Sequence, residues 1–371
     1  MRFINCAILA AAAAWLGGCG PSNSKPSTET DASTAGGGNG GNNSTNAGAG
    51  TLWVQGYLSV KGVDIATGQV KVQTSLLTGG APDINSLYTD SKHVWGGLSD
   101  GSLLVIDKSS GSYSTIPIDT GHTSGIGELA ILNGTVYVGS GAEPDAADPQ
   151  APPVVQIDAT TLQEKRRDNV FGTDFNQYFS RVLADGTSLW ILAASGYALE
   201  QVNAQTMAVE DTIFLGENPN NPTGPRQDGY GYGDMAMVGN TIWVIDASSD
   251  RLPLLKVDKG TGAVTYVRAL VDEFGAAAAG SCALMAANQD SFFISFCDLT
   301  PVKVARFDGQ TGSTLKTYDI GSSIGPHGVK GQKLYTGSPT SDRQVIEIDV
   351  TSGAQRVVYT DSGLIGPLTV E

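Results

Sequence analysis

Basic residues are scarce in this sequence of 371 residues: 22 Lys and Arg stand against 37 Asp and Glu, a formal net charge of −15. That balance argues against a nucleic-acid partner, because phosphate binding needs a positive surface. Charge of either sign is sparse at 16%, well below the ~25% of an ordinary soluble domain, which excludes a coiled coil and a helical protein laced with salt bridges. Histidine occurs three times, as His93, His122 and His327, too few and too scattered for a His-rich metal centre. Neither Gly-x-Ser-x-Gly stretch, Gly97–Gly101 or Gly321–Gly325, leads into a helical pattern as a nucleophile elbow must, and there is no phosphate-binding loop or paired zinc-ligand motif. Past the N-terminus, no long apolar segment of period 3.6 occurs. Glycine, in contrast, is abundant, with 48 residues, so the chain holds either disorder or very many turns.

The first fifty residues explain only part of the glycine. Residues 1–18 read as a secretory leader, with Arg2 as the positive region and an apolar stretch from about Phe3 to Leu16. The stretch is too short to span a bilayer as a mature helix. It ends Leu16-Gly17-Gly18-Cys19, which resembles the bacterial lipobox. The resemblance implies lipidation of Cys19 and a cell-envelope address. Gly20 follows, with no Asp to signal inner-membrane retention, so the resemblance favours the outer membrane. Residues 19–50 are Ser, Thr, Gly, Asn and Ala with almost no large apolar side chain. Such a segment cannot offset its ordering entropy and is expected to be a disordered tether, with an r.m.s. span on the order of 30 Å. Ten of the glycines fall in residues 1–50, as do two basic and two acidic residues. The remaining glycine and the whole negative charge therefore belong to residues 51–371.

Those residues repeat seven times. An apolar pair, Asp, two residues, Thr or Ser, then Gly occurs at Asp64 and Gly68, and again at Asp107 and Gly111, Asp258 and Gly262, Asp308 and Gly312, and Asp349 and Gly353. Two weaker copies keep the frame, Asp158 with Leu162 and Asn203 with Met207; the intervals run from 41 to 55 with a mean of 47.5. In phase with these turns are seven β-rich runs with a central aromatic: Trp53, Trp95, Tyr137, Trp190, Trp243, Phe293 and Tyr335. Hairpin signals such as Asn133-Gly134 precede them. Four strands per repeat, seven times over, describe an all-β chain, a seven-bladed β-propeller of four-stranded blades. It begins on a second strand, Leu52-Trp53-Val54, and ends on what reads as an inner strand, Leu368-Thr369-Val370. Pairing of these two would close the ring and remove its open edge.

The Asp-x-x-Thr-Gly repeat resembles that of YVTN-type and quinoprotein-alcohol-dehydrogenase-like propellers across nearly all of 51–371. Quinoprotein repeats carry a Trp after the Gly, where this chain has Val70-Lys71-Val72 and Val264-Thr265-Tyr266, which argues against a quinone cofactor. One blade, Gly325-Pro326-His327-Gly328-Val329, resembles the inner-strand signature of NHL-type and virginiamycin-lyase-like propellers.

Two sets of residues are candidates for function. Ser86, Glu128, Arg181, Asp234 and His327 precede the apolar part of the inner strands, near the expected mouth of the central channel. Glu128, Arg181, Asp234 and His327 could serve acid–base catalysis, or the charges could satisfy one another. The longest insertions, 141–153, 167–177, 216–232 and 271–280, are all connections from a second to a third strand or from a fourth strand to the next blade. In a four-stranded blade these share one face. In or beside them stand Phe171, Phe175, Tyr178, Tyr230 and Tyr232, able to stack on a sugar or peptide, with Phe175, Tyr178, Tyr230 and Tyr232 the binding candidates. Glu143, Asp145 and Asp148 share a loop that could hold Ca²⁺, although its spacing is not that of an EF-hand; no metal or other cofactor is required. Cys6 leaves with the leader, so Cys282 and Cys297 remain, centred on the turn at Asn288–Ser291; outside the cytoplasm such a pair is expected to oxidise. The function expected is that of a monomeric envelope lipoprotein binding a protein or glycan partner through the loop-rich face, touching the membrane only through its anchor. The alternative is a lyase or hydrolase working at the channel mouth.

Overall fold

The computed structural model describes residues 50–371 except 57–58, 77–81, 119–124, 141–153, 169, 171–178, 194–197, 216–232, 247–250, 279–282, 297–298, 300, 322–326, 338–342 and 364. Residues 1–49, which include the expected leader, Cys19 and the tether, lie outside the described residues.

Seven four-stranded antiparallel sheets follow one another along the chain. Blade 1 takes 51–75 and the last strand, Leu368–Val370. Blades 2 to 7 follow at 84–117, 126–168, 179–214, 234–269, 283–319 and 327–360. The last strand pairs with the first: Leu52 faces Val370, Trp53 faces Thr369 and Val54 faces Leu368. The inner strands lie side by side in cyclic order, so the ring of seven is closed. The expected architecture and its closure are both observed.

Each blade is held by a gradient of burial. The second strand is covered on both sides, as in Thr241–Ile245 and Ser291–Phe296, every residue of which is buried. All seven central aromatics are at most 5% exposed. The fourth strand is mostly exposed, as in Val70–Ser75. Apolar side chains therefore leave both faces of the inner strands and meet those of the neighbouring blades. Seven apolar layers result, one between each pair of neighbours; the layer between blades 5 and 6 holds Trp243, Phe292 and Phe307.

The turns follow from local chemistry. Each third strand joins its fourth through five residues. In blade 1 the Asp64 carboxylate accepts hydrogen bonds from the Thr67 amide at 2.8 Å and hydroxyl at 3.0 Å. The Gly68 amide then returns to the Asp64 carbonyl at 2.7 Å, with Gly68 at φ 71°. Glycine takes that conformation without steric cost. First and second strands join through two or three residues; Asn133 and Gly134 both have positive φ, 50° and 72°, as a tight hairpin turn demands.

Two faces follow from this antiparallel order. The hairpin and Asp turns emerge on one, the hairpin face. The second-to-third and fourth-to-first connections leave from the other, the loop face, and the four longest connections in the chain, 141–153, 169–178, 215–233 and 270–282, are all of these two kinds.

Candidate functional site

The inner strands start at the loop face, so residues near their beginnings gather at that end of the channel. Glu128, Arg181 and Asp234 come from the inner strands Ile126–Leu132, Phe179–Asp185 and Asp234–Val238 of three successive blades. The structure brings them together. The Arg181 guanidinium lies 3.5 Å from Glu128 Oε1 through Nη1, and 3.2 Å from Asp234 Oδ1 through Nε. The second contact is an ion pair rather than an aligned hydrogen bond, because Nε has no hydrogen-bond partner.

Sequence reasoning missed Tyr88. Its hydroxyl donates to Glu128 Oε2 at 2.7 Å from the inner strand of blade 2. The signal was present: Tyr88 stands two residues beyond Ser86, and strand period places both on one face. Ser86 is itself buried, and its hydroxyl has no partner among the described residues.

Asp234 is the most buried of the three. It is 3% exposed, with Oδ2 accepting the backbone N–H of Met285 in blade 6 at 2.6 Å and Oδ1 accepting that of Met235 at 2.8 Å. A chain of polar contacts thus runs from blade 2 to blade 6: Tyr88, Glu128, Arg181, Asp234, Met285.

Burial dominates the electrostatics. It raises the Glu128 carboxyl above its ordinary value, against Arg181 and Tyr88, which pull it down. It raises Asp234 in the same way, against Arg181 and the two backbone donors. Burial alone would lower the Arg181 guanidinium, but Asp234 and then Glu128 hold it above its usual range. Burial and the nearby Glu128 charge keep the Tyr88 phenol protonated. A carboxyl with a raised pKa beside a phenol has the composition of a general acid. Here, however, Glu128 is turned onto internal partners on both oxygens. The adjoining cleft on the inner strands of blades 4 to 6 has a volume of about 210 Å³, and Arg181 is the one charged residue among the described residues lining it, beside Leu183, Met235, Met237 and Met285. That is smaller than ordinary ligand pockets.

His327 is the first residue of the inner strand of blade 7 and pairs with Thr336. Its blade is not among the five that the polar chain links. Phe171, Phe175, Tyr178, Tyr230, Tyr232, Glu143, Asp145, Asp148, Cys282 and Cys297 lie outside the described residues. No group of three metal-ligating side chains occurs among the described residues.

Part of one long connection is described. Val271–Phe274 forms a single helical turn, followed by a 3₁₀ turn at Ala276–Ala278. Phe274 stacks on Phe296 at 4.5 Å and meets the edge of Phe307 at 6.3 Å. The aromatic in this connection therefore pins it onto the layer between blades 5 and 6.

No family model matches the chain, and no curated protein matches it. Among solved structures it is similar to the computationally designed Ika8 protein, at 14% identity and a TM-score of 0.58, over 87% of this chain and 91% of that one. It is also similar to apo AztD from Citrobacter koseri, at 12% identity and a TM-score of 0.51, over 87% of this chain and 98% of that one. At such identities the likeness is one of fold.

Proposed function

We propose that this chain is an envelope lipoprotein, anchored to the outer membrane through Cys19, whose propeller binds a protein or glycan partner through its loop face. One observation carries the reading: the four longest connections all leave the same face of a closed, rigid ring. Binding surfaces are commonly built in this way, as variable loops on a fixed scaffold. The charges at the inner-strand ends favour binding over catalysis, since Glu128, Arg181 and Asp234 are engaged with one another. The raised Glu128 carboxyl is the feature that a lyase or hydrolase reading would use. In this reading the partner meets Phe175, Tyr178, Tyr230 and Tyr232, no cofactor is needed, and the protein acts as a monomer. Cys282 and Cys297 close a disulfide beside the paired Ala283 and Phe296.

The test is capture of envelope components by the detergent-solubilised full chain, beside variants in which residues 142–152 or 217–231 are replaced by short Gly-Ser linkers. The expected result is a partner held by the parent protein and lost from at least one variant whose melting is unchanged. Retention of every partner by both variants would overturn the reading. Turnover of an envelope substrate that is lost in Glu128→Gln, with stability intact, would favour the enzyme.

A further inference from the structure

Neighbouring blades are stitched on the hairpin face by side chains that reach the Asp turn of the next blade. Lys256, opposite Trp243 in the register, donates to the Gln310 carbonyl at 2.6 Å. Arg306, opposite Phe293, donates to the Val350 carbonyl at 3.1 Å, and Tyr318 reaches the same carbonyl at 2.7 Å. Between blades 3 and 4 the residue at this register, opposite Tyr137, is Gln156. Glutamine is shorter than lysine or arginine. Tyr137 still donates to the Ala204 carbonyl at 3.0 Å, but where Lys256 and Arg306 reach across in blades 5 and 6, this junction holds a cleft of about 420 Å³. That volume lies within the ordinary range for small-molecule sites.

The lining of this cleft has a definite chemistry. Gln156 is 6% exposed, and its Nε2 has no hydrogen-bond partner. A buried amide left in that state is costly unless something in the cleft accepts from it. Thr135, 7% exposed, accepts from Lys165 at 3.1 Å and hydrogen-bonds the Tyr137 hydroxyl. The Lys165 charge is answered by Asp158 at 3.5 Å. Gln205 adds an amide group at the rim, whereas the Asn203 amide there is engaged by its own turn and by Glu210. No carboxylate is among the described residues lining the cleft. The lining is thus nearly neutral, offers both donors and acceptors, and is walled by one aromatic, Tyr137.

We propose that the cleft between blades 3 and 4 on the hairpin face is a binding site for a small uncharged, hydroxyl-rich ligand: one sugar ring, free or at the end of a glycan. Sugar hydroxyls donate and accept at once, which matches amide and hydroxyl groups better than an ion would. Gln156 Nε2 donates to the sugar, and the Gln205 amide on the rim donates to it and accepts from it. This site lies on the face opposite the long connections and does not rest on partner capture there.

The full-length protein is titrated with glucose, galactose, mannose and N-acetylglucosamine, read by calorimetry and saturation-transfer NMR. The expected result is one-site binding of at least one of them. Gln156→Leu removes the orphaned amide at nearly constant volume, so it should keep or raise the melting temperature while weakening the sugar about tenfold, as loss of one buried hydrogen bond implies. Gln205→Ala, at an exposed rim position, is a second variant expected to weaken binding without disturbing the fold. Replacement of residues 217–231 should leave sugar affinity unchanged, so this proposal and the loop-face reading can fail separately. No binding by any of the four sugars, or parent-like affinity in both Gln156→Leu and Gln205→Ala, would overturn the proposal. A crystal soaked in the best-binding sugar that shows ordered water alone in the cleft would do the same.

Discussion

Arg181 faces two carboxyl groups from neighbouring blades, at 3.5 Å and 3.2 Å. Arg181→Met leaves Glu128 and Asp234 buried without their counter-charge. Breaking a buried pair in this way costs ~3–5 kcal/mol. About a quarter of the Arg181 side chain still meets water, 26%, so screening brings the expected loss nearer to about 2–3 kcal/mol. Urea unfolding measures it, and a loss below about 0.5 kcal/mol would mean that the cluster does not hold the blades. Adding Glu128→Gln and Asp234→Asn to Arg181→Met should recover part of the loss, because no uncompensated charge then remains. The position of this cluster was legible in the sequence, since Glu128, Arg181 and Asp234 occupy equivalent places on successive inner strands. Tyr88, 40 residues from Glu128, was signalled only by its place two residues beyond Ser86; the Met285 amide, 51 residues from Asp234, was not legible, because a backbone donor leaves no mark in the sequence.

The Asp turn is the repeating element, and its two irregular copies show what the regular ones avoid. Leu162 and Met207 take φ of 60° and 57°, a conformation that costs a side-chain-bearing residue ~1–2 kcal/mol. Met207 offsets that cost by burial in the layer between blades 3 and 4, and Leu162 packs against the layer between blades 2 and 3. The other five copies use glycine. These turns also make the protein acid-sensitive. Hydrogen bonding from Lys71 and Thr67 lowers Asp64 to about 2, and hydrogen bonds from the turn hold Asp107, Asp158, Asp258 and Asp308 below their ordinary value. Lys333 and the turn do the same for Asp349. A carboxyl whose folded pKa is depressed stabilises the fold fully above its unfolded value, near ~4. That contribution fades as pH falls through the folded value. The melting temperature should therefore drop between pH 4 and pH 2. Asp64→Asn keeps the acceptor oxygen, as Asn203 already does in blade 4, and should reduce that drop. An unchanged pH dependence would count against the turn carboxylates. Glu128 and Asp234 act with the opposite sign: their raised values make ionisation costly as pH climbs past the unfolded value. Acid sensitivity above that window would therefore not come from them.

At the scale of the whole molecule, closure is the critical feature. The last strand contributes three paired residues to blade 1, and Leu368 packs into the layer between blades 7 and 1. The Gln55 amide and carbonyl further bind Pro367 and Gly366, at 3.0 and 2.9 Å. Without this strand, blade 1 loses its inner member and the ring opens an edge. Deletion of residues 366–371 should lower the melting temperature of the whole domain, not only of one blade, and calorimetry would register a broader, earlier transition. A deletion with parent-like melting would sink the closure argument. The same closure explains the scarcity of charge. Second strands are covered on both sides, and inner strands alternate buried with half-buried positions, so charged residues lie mostly on outer strands, turns and loops, apart from a few that face one another.

The sequence by itself determined the blade count, the strand order and the pairing of the two ends, because each depends on a period written locally: an Asp turn, a hairpin and a central aromatic in every repeat. It also placed three of the channel-end residues. Only the tertiary structure decided which groups meet. The partner of Glu128 in blade 2, the turning of Asp234 onto a backbone amide in blade 6, and the unfilled space beside Gln156 arise between blades, where one side chain's length is measured against a neighbour far away in the chain. A repeat pattern specifies each blade, whereas the fit between two blades depends on both at once.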